Sequence, residues 1–128
     1  MVCEVKFKYF YLSHTFMFDL LYLLGYAHSM TYELCSTPTF DKWLAKLKDA
    51  STRNRLLARL DRIETGNFGD FKQIDNNLFE LRFFFGSGLR IYYTIRNGQV
   101  ILLLVGGDKS TQTKDIVKSK ALLLEMEV

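Results

Sequence analysis

Leu78-Phe-Glu-Leu-Arg-Phe-Phe-Phe85, Leu89-Arg-Ile-Tyr-Tyr-Thr-Ile-Arg96 and Gln99-Val-Ile-Leu-Leu-Leu-Val-Gly106 are three strand-like runs, rich in aromatic and β-branched residues. Gly86-Ser87-Gly88 separates the first two and Asn97-Gly98 the second two. Asn-Gly is a strong hairpin signal, because both central positions of a type I′ turn need positive φ. The three runs therefore fold back on one another as an antiparallel meander. The strand over 99–105 is apolar on both faces, which marks a strand inside the sheet and covered from both sides. It opens into Gly107-Asp-Lys-Ser-Thr-Gln112, the approach to a final helix.

Working outward, Thr31-Tyr-Glu-Leu-Cys-Ser36 alternates polar and apolar residues and reads as a short strand. Thr37 is placed to cap a helix whose first position is Pro38, where the missing N–H costs nothing. Phe40, Trp43, Leu44 and Leu47 then form one apolar stripe at helical spacing. A second helix is expected over 51–65, with Leu56, Leu60 and Ile63 towards the core and Gly66 as its left-handed C-terminal residue. Arg55, Arg59 and Arg62 read as its solvated face. A strand over 71–74 precedes the meander. The final helix spans about 111–126, with Val117, Ala121 and Leu124 as the expected buried stripe. The order β-α-α-β-β-β-β-α is an α+β fold: two N-terminal helices and a C-terminal helix on a small, mainly antiparallel sheet, one face of which is expected to stay partly open.

At 128 residues and 48% hydrophobic composition the chain has the size of one domain with a packed core. A formal charge of +3 and a pI near 8.9 permit nucleic-acid or acidic-protein partners without requiring them. Cys3 and Cys35 have no metal-ligand spacing and are expected as reduced thiols, which favours a cytoplasmic protein. Residues 1–29 form an atypical aromatic-rich extension. Its apolar run is shorter than the about 20 residues a membrane span needs. A signal peptide is one reading. The simpler one makes Met30 the start, residues 1–29 an upstream mis-start, and 30–128 the domain. His14 and His28 both fall in the extension, so a histidine mechanism is not expected in the domain.

Alternation sorts the meander's side chains: Glu80, Arg82 and Phe84 to one face, and Arg90, Tyr92, Thr94 and Arg96 to the same one. With the apolar sets turned to the helices, Arg82, Arg90 and Tyr92 fall on the open face. Lys109 leaves the end of the next strand, and Lys72 stands on the same rim. Ser110, Thr111 and Gln112 add the donors of a helix N-terminus. Cations without an acidic cluster point to a phosphate ligand and to no metal or cofactor. Such a surface suits RNA, with Tyr92 stacking on a base and Gln112, Ser110 and Arg96 contacting the strand. The economical reaction is attack of a ribose 2′-OH on the adjacent phosphate. Arg82 and Arg90 are assigned to the charge clamp, and Lys72 or Lys109 to proton transfer, since a desolvated lysine can lose its proton near neutral pH. Gly107-Asp108-Lys109-Ser110 lacks the glycine spacing of a P-loop, so nucleotide hydrolysis is rejected.

Several motifs occur in an order that resembles a known family. They are Phe40-x-x-Trp43-Leu44, Gly66-Asn67-Phe68-Gly69-Asp70 with Lys72, Glu80-Leu81-Arg82, Gly88-Leu89-Arg90-Ile91-Tyr92-Tyr93, and Gly106-Gly107-Asp108-Lys109-Ser110-Thr111-Gln112 followed by Asp115-Ile116. Residues 30–128 resemble the RelE/ParE superfamily of toxin–antitoxin toxins, in particular its HigB-like addiction module killer proteins. Leu89 stands where that pattern usually has an aromatic. The resemblance implies a RelE-like fold and a growth-inhibiting toxin that cleaves mRNA at the ribosome. It implies as partners mRNA, the ribosome and a co-encoded helix-turn-helix antitoxin, and site positions at Arg82, Arg90 and Lys109 with Lys72 nearby. Two alternatives remain open: a ParE-like gyrase inhibitor that acts by binding only, and an inactive toxin that only binds its antitoxin.

Overall fold

The structure is a computed structural model and describes residues 31–126. The expectations about residues 1–29 lie outside that range. The element order is β1 (Glu33–Ser36), α1 (Pro38–Ala45), α2 (Ala50–Glu64), β2 (Phe71–Asp75), β3 (Leu78–Arg82), β4 (Arg90–Arg96), β5 (Val100–Gly107) and α3 (Gln112–Met126), with a 3₁₀ turn over Lys109–Thr111. It is the order expected from the sequence.

Local chemistry sets the boundaries. The Thr37 hydroxyl accepts from Phe40 N at 3.1 Å to start α1, and donates to Leu104 O at 2.6 Å, tying that helix to β5. Asp49 caps α2 by accepting from Ser51 N at 3.3 Å and the Thr52 hydroxyl at 2.7 Å, so the helix begins one residue before the expected start. Gly66, at φ +91°, ends it. Asn97 (φ 53°) and Gly98 (φ 69°) both adopt the left-handed conformation that the β4–β5 turn demands.

The sheet order is β1-β5-β4-β3-β2, antiparallel except for β1, which runs parallel to β5. On one face, α1 and α2 bury Phe40, Leu44, Leu56, Leu60 and Ile63 against Leu81, Ile91, Tyr93, Ile101 and Leu103. On the other, α3 lays Ile116, Leu122, Leu123 and Met126 over Cys35, Leu78, Tyr92, Leu102, Leu104 and Val105. The register slips between Tyr92 and Tyr93, which face Val105 and Leu103, so that Leu104 is the extra residue of a β-bulge. The bulge lets Leu104 and Val105 both join the α3 layer.

The second layer corrects the expectation of one open face. β5 carries buried apolar side chains on both sides, and apolar area leaves water only if both sides are covered. It also corrects the reading of α3. Ile116, Leu122, Leu123 and Met126 point inward, whereas Val117 and Leu124 are 64% and 67% exposed. The helix has apolar residues on more than one side, and spacing alone picked the outer stripe. Cys35 is disulfide-bonded, not the expected reduced thiol, because the lack of a spacing motif does not keep a cysteine reduced. No helix among the described residues is long and apolar enough to cross a membrane.

Candidate functional site

Arg82 on β3 and Arg90 on β4 are direct cross-strand partners, and Gly107 on β5 continues the row. Opposed residues in an antiparallel pair have Cα atoms about 5 Å apart, and like charges placed so repel. Each arginine has one carboxylate at its side. Arg82 Nη2 reaches Asp70 Oδ1 at 2.9 Å, a hydrogen-bonded pair that raises the guanidinium's already high pKa. Arg90 Nε lies 3.5 Å from Glu80 Oε2, and its Nη1 donates to Gly88 O at 2.9 Å. The 3.5 Å contact is an ion pair without an aligned hydrogen bond. Arg82 Nε, Arg90 Nε and Asp70 Oδ2 are therefore buried polar atoms with no hydrogen-bond partner.

Glu80 is the hub beneath this row. Only 2% exposed, it accepts from Gln112 Nε2 at 2.8 Å and sits opposite Tyr92. Tyr92 is buried, contrary to the open-face expectation, because α3 covers it. Burial, and then the charge of Glu80, push its phenol well above the usual range, so the group is neutral. It is out of reach as a stacking surface. Gln112 bonds Glu80 and thus helps to orient Arg90.

Lys109 begins the 3₁₀ turn and is exposed. A Cβ built on Gly88 would lie 3.4 Å from Arg90 Nη1 and 3.6 Å from Lys109 Cβ, which puts the Arg90 guanidinium and the root of the Lys109 side chain against the same glycine. Lys72 is also exposed; it pairs with Glu80 across β2–β3, diagonally adjacent to Arg82. Ser110 is committed to Asp108: its N–H and hydroxyl donate to Asp108 Oδ1 at 2.9 and 2.5 Å. That hydroxyl is the main reason the Asp108 carboxyl sits below the usual range. Arg96 is not in the cluster. It stands at the far end of β4, roughly 20 Å away by strand rise, beside Thr37, Pro38, Leu122 and Met126. Alternation gave its face correctly and ignored its distance.

Two further features position the site. Arg59, expected as part of a solvated stripe, donates to Phe68 O at 3.1 Å, to Asp70 O at 2.6 Å and to Arg82 O, and lies 4.5 Å over the Phe83 ring. Burial lowers its pKa. Arg55 similarly covers Phe85 at 4.3 Å, while Arg62 is exposed. Gly106 and Gly107 let the helices close on the end of β5. A Cβ at Gly106 would lie 2.1 Å from the Trp43 ring, and one at Gly107 1.9 Å from Asp115 Oδ2. Sequence reasoning missed the roles of Asp70 and Arg59, whose partners come from other segments of the chain. Phe84, 85% exposed, was placed on the cation face by alternation but given no role. No group of three or more histidine, cysteine, aspartate or glutamate side chains among the described residues is arranged to hold a metal.

The architecture, three helices on the two faces of a five-stranded, mostly antiparallel sheet, is that of a RelE-like fold. In a structural comparison the chain matches the free-state structure of a mutant of the E. coli toxin RelE with a TM-score of 0.51 at 19% identity, over 70% of this chain and 97% of that one. Residues 42–122 match the family described as phage derived protein Gp49-like (DUF891). An uncharacterized protein of Haemophilus influenzae is 46% identical over 97 residues, which cover 76% of this chain and 98% of that protein. The chain belongs to the Gp49-like family, and its fold is RelE-like.

Proposed function

We propose that this protein is the toxin of a type II toxin–antitoxin module, that it cleaves mRNA at the ribosome without a metal ion, and that a co-encoded helix-turn-helix antitoxin neutralises it. The observation that carries the reading is the Arg82–Arg90 cross-strand pair at the end of the sheet, flanked by Lys109. A phosphodiester completes that arrangement: the guanidinium groups take its non-bridging oxygens and stabilise the additional charge of the pentavalent transition state.

In the reaction the ribose 2′-oxygen forms a bond to phosphorus while the bond from phosphorus to the 5′-oxygen breaks. The 2′ proton passes to a base, and the departing 5′-oxygen receives one from an acid, leaving a 2′,3′-cyclic phosphate and a 5′-OH. Lys72 and Lys109, on opposite flanks of the arginine row, are the proposed proton carriers. Both are exposed, so closure of the RNA and ribosome over them supplies the desolvation that such chemistry needs. Glu80 and Gln112 fix Arg90, and Asp70 fixes Arg82. Ser110 stiffens the turn that carries Lys109. The proposed target, the ribosome, supports the cytoplasm as the compartment in which the protein acts.

The test is expression of residues 30–128 without antitoxin. Growth arrest that disappears in Arg82→Ala, Arg90→Ala or Lys109→Ala variants, each still folded by circular dichroism, is the expected result. Undiminished arrest in all three refutes the site assignment.

A further inference from the structure

Phe84 is the most exposed large apolar side chain among the described residues, at 85%, while its neighbour Phe83 is 2% exposed. The contrast follows from alternation. Phe83 and Phe85 turn to α2, where Arg59 and Arg55 lie over their rings, and the two rings meet edge to face at 5.6 Å. Phe84 therefore points to the opposite face, that of Arg82. The Phe83 N–H donates to Leu89 O at 3.0 Å, which continues the ladder past Arg82 and brings Phe84 alongside Gly88. Gly88 is the residue against which Arg90 and Lys109 both pack.

A single exposed phenylalanine is ordinary. This one follows Arg82 by two residues on the same face, at the end of the row that Arg82 and Arg90 form and that Lys109 flanks. A cation row with an aromatic ring at its end is the arrangement that holds single-stranded nucleic acid: the charges take the backbone and the ring takes a base. A duplex would keep its bases stacked inside and leave the ring unused. The sequence offered Tyr92 for this purpose, but that ring is buried under α3.

We infer that Phe84 is a stacking platform for an unpaired RNA base next to the phosphate held by Arg82, Arg90 and Lys109. The inference rests on the proposed function and specifies its substrate as an unstacked single strand. Stacking on an aromatic side chain is worth about 5- to 160-fold in affinity and tolerates any base.

The probe is a short, fluorescently labelled single-stranded RNA with 2′-O-methyl groups, which cannot be cleaved, together with the same strand made abasic. Phe84→Ala should weaken binding of the first by about 5- to 160-fold and leave the second unchanged. Phe84→Trp should retain binding, with indole fluorescence quenched by the RNA beyond the change that Trp43 alone gives in the unsubstituted protein. If Phe84→Ala binds the RNA normally while Arg82→Ala does not, the platform is refuted and the anion site stands. If the unsubstituted protein binds neither strand, both fall. If Phe84→Ala binds RNA normally and loses only its antitoxin, the residue is a protein-docking contact and the inference is wrong.

Discussion

Gln112, the first residue of α3, donates to the buried carboxylate of Glu80 at 2.8 Å, joining the helix that follows the meander to the strand that begins it. The same carboxylate oxygen faces Arg90 Nε at 3.5 Å. One acid thus holds a helix start and a site arginine in register.

Removing the Glu80 charge leaves Arg90, whose side chain is 15% exposed, with no carboxylate partner. Breaking one half of a mostly buried pair costs about 3 kcal/mol. Glu80→Ala should lower the urea midpoint accordingly. Gln112→Ala, which spares both charges, should cost about 1 kcal/mol.

Gly106→Ala should be more damaging than a methyl group suggests, because the added carbon would meet the Trp43 ring, which packs into the α1 layer. Overpacking of this kind costs about 1–3 kcal/mol. Thermal melts should show the loss, and Trp43→Leu should recover part of it in the double variant. Additive losses would mean that the ring does not confront this glycine.

Asp108 gives a pH dependence of known sign. Its folded-state pKa lies below the ordinary value, chiefly through the Ser110 hydroxyl. Its contribution is therefore complete above the unfolded pKa of about 3.9 and is lost as pH falls through the lower folded value. Hydrogen exchange at the Ser110 and Thr111 amides should accelerate in that acid window. Asp108→Asn should abolish the pH step.

Arg59→Met should loosen the segment carrying Asp70, since three backbone carbonyls lose the Arg59 donor and only that of Asp70 keeps the Arg82 N–H at 3.0 Å. A loss of about 2–3 kcal/mol is expected, with faster amide exchange at residues 68–70. Arg62→Ala, at an exposed position of the same helix, should change stability by less than about 0.5 kcal/mol.

The meander was legible because its turns are written in short chemistry: Asn97-Gly98 and Gly86-Ser87-Gly88 fix hairpins whatever surrounds them. Element order followed, as did the row formed by Arg82 and Arg90, since a period of two assigns faces without knowledge of the tertiary structure. What failed was what lay above each face. The doubly apolar β5 already required a second covering layer, yet α3 was expected with the other helices, and Tyr92 consequently looked open. Arg96 failed for a related reason: sharing a face says nothing of distance along a strand. Arg59 looked solvated because its carbonyl partners come from another segment.

The central claim is tested most directly by mapping the 5′ ends of a translated reporter message after expression of residues 30–128, beside the same message lacking its start codon. New ends inside the reading frame, carrying 5′-OH groups and absent from the untranslated control and from the Arg82→Ala variant, are the predicted result. Growth arrest with the message intact would contradict the nuclease account and turn attention to DNA gyrase.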